Sequence, residues 1–271
     1  MYLRVKDIHN IMEEYAPSVL KESYDNVGLM VGNMEDKVTS ILIALDCTLE
    51  VIKEAKQNKC NLILTHHPLL FKKPDSVTTD TLIGRKIIEL VKNNINVYSA
   101  HTNLDSVKGG INDIIMNLLQ LTSCHIIDPS DIQCYAKDHC GIGRIGKLKS
   151  SVTLEELCNK VKDNLNIPMV KYSGSESKII NKIAVINGSG ESYFDSAKLL
   201  GVDCIITGDT TYHYVSDLKE EGVAVIDAGH FETEWPAMKR IAEFLMQKIQ
   251  SDGFCNTVIL SKVNRSPYKY K

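Results

Sequence analysis

The apolar run Leu62-Ile63-Leu64 gives way within four residues to Thr65-His66-His67-Pro68, and that change limits the folds open to the chain. A short apolar run after a polar break, here Lys59-Cys60-Asn61, reads as a buried strand of a parallel sheet. Proline has no N–H to give a neighbouring strand, so Pro68 ends it. Two histidines are left at the carboxyl end of a central strand, where open α/β sheets hold their ligands. Adjacent strand residues point to opposite faces. His66 and His67 therefore serve one site only if the strand has ended or the site takes two metals. Otherwise one is a buried, hydrogen-bonded histidine and the other a surface residue.

The same pattern recurs. Ile41-Leu42-Ile43-Ala44-Leu45-Asp46, a helix, the His66-His67 strand, and Val97-Tyr98-Ser99-Ala100-His101 form one copy. Ile183-Ala184-Val185-Ile186-Asn187, a helix, Cys204-Ile205-Ile206-Thr207-Gly208-Asp209, and Val225-Ile226-Asp227-Ala228-Gly229-His230 form the other. A repeat of strand–helix–strand units predicts an α/β fold whose two pseudo-symmetric halves turn their strand ends toward one shared cleft. Between the copies a strand is expected over Gly141–Leu148, then a helix capped by Thr153 and running to Leu165.

The 44% hydrophobic and 24% charged residues suit a soluble globular chain, and 271 residues suffice for one large or two intertwined domains. A net charge of −3 argues against nucleic acid as the main partner. No run is long and apolar enough to span a bilayer, and Met1 to Asp7 has no signal-peptide core, so the expected location is cytoplasmic. Eight scattered cysteines without a CxxC pair read as reduced thiols. The spacing of Cys124, His125, Cys134, His139 and Cys140 fits no common zinc pattern.

The polar residues at strand ends are His66, His67, His101, Asp105, Asp209, His213, His230, Glu232 and Glu234. Imidazole mixed with carboxylate suits zinc, manganese, iron or nickel, with no thiolate to favour a soft site. A structural zinc asks for four closed ligands, preferably cysteines, whereas histidines with bridging carboxylates suit a pair of metals about 3.5–4 Å apart. Proline is accepted in the first turn of a helix, so Pro236 predicts His230 in the preceding turn and Glu234 in the first helical turn. Asn187-Gly188-Ser189-Gly190 follows a strand and reads as a tight turn or a phosphate-holding loop; it lacks the third glycine of a dinucleotide fingerprint. Lys262 to Lys271 reads as a basic, solvated tail.

Thr65-His66-His67-Pro68-Leu69, Ala100-His101-Thr102-Asn103-Leu104-Asp105, Thr207-Gly208-Asp209 with Tyr212-His213, and Gly229-His230 with Thr233-Glu234 together resemble the Nif-three-like family. Its members are named GTP cyclohydrolase 1 type 2 homologues. The resemblance runs from Tyr24-Asp25-Asn26-Val27-Gly28-Leu29 to Pro267-Tyr268. It implies two intertwined α/β repeats, a dinuclear metal site and a homohexamer. On that resemblance the first repeat spans 1–125 and packs with 226–271, and 126–225 forms the second α/β domain, without the extra inserted domain of longer members. The metal ligands it implies are His66, His67, Asp105, His230 and Glu234, with two divalent ions (zinc, iron or manganese) as cofactors and His101 beside them. Tyr24 departs from the pattern, standing where tryptophan is expected.

The implied chemistry is hydrolysis of a nucleotide or related heterocycle by a metal-activated water. His101 and His213 are the candidates for general acid or base, and each can equally orient a ligand, as can Asp209. Two other classes stay open: a metal storage or delivery protein, and a ring-shaped interaction protein.

Overall fold

The computed structural model describes residues 2–269, apart from the side chains of residues 123, 124 and 136. The strands are β1 (Gly28–Val31), β2 (Ser40–Ala44), β3 (Leu62–Thr65), β4 (Asn96–Ser99), β5 (Thr122–Pro129) and β6 (Gly141–Thr153). They continue with β7 (Lys171–Ser173), β8 (Ile179–Ile186), β9 (Cys204–Thr207), β10 (Ala224–Asp227) and β11 (Thr257–Leu260). The helices are α1 (Val5–Tyr15), α2 (Leu49–Gln57), α3 (Leu82–Lys92), α4 (Thr102–Ser106) and α5 (Ile111–Leu118). They continue with α6 (Gln133–Lys137), α7 (Leu154–Leu165), α8 (Phe194–Leu199), α9 (Tyr212–Glu220) and α10 (His230–Ser251). The fold is mixed α/β, as the repeated apolar runs predict.

The chain divides into two compact units. The first takes the residues up to Leu104 with Met238–Pro267, and the second takes Asp105–Ala237 with the chain from Tyr268 on. In the first, the sheet order is β1-β4-β3-β2-β11. β11, β2, β3 and β4 run parallel and β1 pairs antiparallel with β4. Every residue of β3 and β4 is buried, so their apolar residues, Leu62-Ile63-Leu64 and Val97-Tyr98, stand side by side rather than alternating. Leu42, Ile63 and Val97 from three strands meet Val51, Ile52 and Ala55 of α2 in one apolar cluster. At about 1.5–3 kcal/mol for each large side chain removed from water, such a cluster outweighs any local propensity.

In the second unit the order is β5-β6-β8-β9-β10-β7. β8, β9 and β10 are parallel, and β7 pairs antiparallel with β10. The arrangement β7-β10-β9-β8 thus repeats β1-β4-β3-β2 in order, direction and chain sequence. Here Ala184, Ile205 and Val225 pack on Phe194 and Ala197 of α8.

One expectation needs correction. α10 begins at His230 and contains Pro236, so His230 lies inside the helix rather than in the turn before it. Pro236 cannot donate to the carbonyl of Glu232, yet the first turn is held by other means. The Thr233 amide donates to the Gly229 carbonyl (3.0 Å), and the Thr233 hydroxyl donates to the carbonyls of Gly229 and His230 (3.0 Å each).

Among the described residues no helix is long and apolar enough to cross a membrane.

Candidate metal centre

In the first unit, parallel pairing aligns Thr65 with Ser99, so the residues that follow β3 and β4 emerge side by side. His66, His67 and His101 are consequently neighbours, with one ring nitrogen from each lying within 4.8 Å of the others. The rings of His66 and His101 stand 5.0 Å apart, and those of His67 and His101 stand 5.7 Å apart. His66 is fully buried.

Each of these imidazoles is oriented through Nδ1. His66 Nδ1 lies 2.9 Å from the Ala100 carbonyl, His67 Nδ1 lies 3.0 Å from Asp46 Oδ1, and His101 Nδ1 lies 2.8 Å from Asp25 Oδ1. A carbonyl oxygen can only accept, so Nδ1 of His66 carries the proton and Nε2 is the ring's acceptor nitrogen. The carboxylates of Asp46 and Asp25 select the same tautomer in the other two.

Asp25 is itself tightly held. Its carboxylate accepts from the Thr102 amide (3.0 Å), the Thr102 hydroxyl (2.5 Å) and the Asn26 amide (2.7 Å). Burial pushes this carboxyl up, but the hydrogen bonds from His101 and Thr102 and the attraction between the carboxylate and the His101 ring together outweigh it. The net effect holds Asp25 well below the usual carboxylate range.

The second unit gathers a different donor set. His230 Nδ1 lies 2.6 Å from Asp209 Oδ2, so a fourth imidazole presents Nε2. That Nε2 is 3.2 Å from Glu234 Oε1, one helical turn further along α10. Two donors about 2.0–2.1 Å from one ion at tetrahedral angles sit about 3.3 Å apart, so the spacing suits shared coordination. Asn187, at the end of β8, bridges the carboxylates: its amide donates to Asp105 Oδ1 (2.9 Å) and Glu234 Oε1 (3.3 Å). Asn112 donates to the Asp105 carbonyl (3.1 Å) and accepts from the Asn187 amide (3.1 Å), which locks the strand end to α5. Both Asp105 and Glu234 are buried.

Gly188 explains the glycine-rich turn. It has φ of +57°, and a Cβ there would lie 2.3 Å from Glu234 Oε1. The turn leaves space for a carboxylate. Its Gly188 N–H donates to the Thr233 hydroxyl (3.2 Å), which favours the tight-turn reading over a phosphate loop.

Other expected residues are not members of these groups. His213 stands exposed in the first turn of α9, its ring 5.4 Å from that of Tyr212. Glu232 folds back over Gly229. His125, Cys134, His139 and Cys140 form no metal-sized group among the described residues, and the Cys124 side chain lies outside them. The thiols of Cys47, Cys60, Cys140, Cys158 and Cys204 are buried, and burial pushes Cys47 up to about 12, which leaves it a packing group rather than a nucleophile.

Sequence reasoning did not assign Asp25, Asp46 and Asn187 their orienting roles. Asp46 and Asn187 follow strand ends and were open to the rule that found the histidines. Asp25 precedes a strand by three residues, and no local pattern marks it. The donors of the two sets, imidazole Nε2 atoms and carboxylate oxygens, are those that borderline divalent ions prefer.

The Duf34/NIF3 (NGG1p interacting factor 3) family profile matches residues 3–267. A GTP cyclohydrolase 1 type 2 homolog of Clostridium acetobutylicum is 52% identical over 271 residues, covering all of both chains. The protein of the same name from Clostridium perfringens is 50% identical over 268 residues, covering 99% of this chain and all of that one. The crystal structure of a hypothetical protein from Staphylococcus aureus superposes with a TM-score of 0.90 at 30% identity, covering all of both chains.

Proposed function

The chain belongs to the Duf34/NIF3 family, and from that membership we propose that it binds two divalent metal ions and hydrolyses a nucleotide or related heterocycle. The observation that carries this reading is the common orientation of four histidines. His66, His67, His101 and His230 all commit Nδ1 to an oxygen acceptor and present Nε2. Orientation of that kind is what metal-ligating histidines require, and a hydrogen-bonded core histidine has no need of it in four copies.

In this proposal His66, His67, Asp105, His230 and Glu234 are the ligands, and the two carboxylates bridge or neutralise the ions. Zinc, iron or manganese held there would supply Lewis acidity and bring the pKa of water toward neutrality, which is hydrolytic chemistry. His101, with Nδ1 fixed by Asp25, has Nε2 ready to hold or pass a proton. His213 is the second acid–base candidate. Asn187 keeps Asp105 and Glu234 aligned, and Asp209 does the same for His230. The name of the clostridial relatives makes GTP the first nucleotide to screen. A homohexamer working in the cytoplasm completes the proposal.

Metal content by plasma mass spectrometry on untagged protein tests it, beside Glu234→Ala and a sedimentation run. About two equivalents per chain in the wild type, lost in the variant, is the expected result. No bound metal, and no uptake on adding zinc, manganese or iron, would overturn the hydrolase and leave a binding role.

A further inference from the structure

A line of rings leads from solvent to the histidine trio of the first unit. Tyr24 is 62% exposed and its ring centroid lies 6.3 Å from that of Phe71, at an interplanar angle of 65°. Phe71 is 47% exposed and lies 6.2 Å from His101 at 89°. His101 in turn neighbours the fully buried His66. Two large rings kept at the surface contribute little to a core. Their steep mutual angle makes a corner, in which a flat ring can stack on one face and meet the edge of the other.

Three successive residues build this corner. Tyr24 supplies one wall. Asp25 fixes His101 through Nδ1 and Thr102 through its amide and hydroxyl. Asn26 Nδ2 donates to the Leu70 carbonyl at 2.8 Å, which ties the loop carrying Phe71 to the turn carrying Tyr24. The corner and the histidines therefore share one set of anchors. Small-molecule sites join an apolar or aromatic wall to a few placed polar groups in this way.

We propose that Tyr24 and Phe71 form a stacking subsite for a planar aromatic heterocycle, held with its reacting end toward His66, His67 and His101. The inference rests on the proposed function for the identity of that reacting end. Stacking tolerates different bases, because each has a π face, so the subsite selects for the presence of a flat ring rather than for one base.

Isothermal titration of metal-loaded protein with guanosine, and with ribose as the ring-free control, tests the subsite. Guanosine is expected to bind and ribose is not. Tyr24→Leu and Phe71→Leu should each weaken guanosine roughly tenfold or more, the range base stacking supports, with metal content unchanged. Tyr24→Trp should keep the affinity, and guanosine should quench its added indole. Equal affinity for guanosine in wild type and both leucine variants would overturn the subsite. So would an absence of guanosine binding to the wild type, or an unquenched Tyr24→Trp protein, an arm that stands even if a leucine variant fails to fold. Ring binding that depends on Tyr24 and Phe71 in a protein that takes up no metal would keep the subsite and remove the hydrolase. Normal metal content with no effect of the variants would do the reverse.

Discussion

Asp25 shows how much of this protein's chemistry rests on single side chains. Its buried carboxylate takes hydrogen bonds from His101, Thr102 and Asn26. Asp25→Ala strands those donors and should cost about 1–3 kcal/mol in denaturant unfolding. The pH dependence has a definite sign. The folded carboxyl is held below its unfolded value, so its contribution is complete above about pH 3.9 and is lost as pH falls through the lower folded value. Unfolding measured from about pH 5 downward should show a steeper loss for the wild type than for Asp25→Asn. Parallel curves would mean the carboxyl is not held low. Gly188 offers a complementary test. Gly188→Ala places a methyl where Glu234 Oε1 sits and puts alanine at φ +57°. The left-handed conformation costs about 1–2 kcal/mol, which a protein of this size survives. Metal retention should fall at least tenfold, because the methyl displaces a proposed ligand; a competition titration with a chelator reads this directly. Unchanged retention would remove Glu234 from the ligand set.

Elements were legible where the core dictates them. β3, β4, β9 and β10 are buried at every position, and their apolar runs stood out for that reason. α7 was equally plain, since Thr153 and Glu156 form a reciprocal cap at its start. Thr153→Ala should destabilise by about 1 kcal/mol in thermal or chemical unfolding, whereas a change within a few tenths would show that packing alone holds this end. The second half of β6 was hidden because Lys147-Leu148-Lys149-Ser150-Ser151 is mostly exposed and the register shifts there. β7 has three residues on a sheet edge, too few to show alternation. α10 misled for a different reason. Proline disfavours a helix interior on average, but the Thr233 hydroxyl and the Gly229 carbonyl bind the turn before it. These contacts reach back only three and four residues, and a threonine ahead of a proline does not by its type alone show that they form.

At the scale of the molecule, two sheets threaded in the same order place polar residues after the strands of both copies. The repeat itself was readable because parallel strands need apolar residues on both faces. What the repeat could not supply was the difference between the copies: three imidazoles follow β3 and β4, whereas carboxylates and one imidazole gather after β8, β9 and β10. That asymmetry leads to a thermodynamic prediction. An ion that binds only the folded chain stabilises it by about 2.7 kcal/mol at a hundredfold excess over Kd, so unfolding must depend on metal concentration. For a chain of this length that corresponds to a rise in Tm of about 5 °C or more. Scanning calorimetry should show the wild type gaining Tm with added zinc or manganese and losing it in chelator. Glu234→Ala and His66→Ala should respond weakly, one from each donor set. If only one variant lost the response, the ions would belong to that variant's set alone, and the five proposed ligands would have to be divided between separate sites.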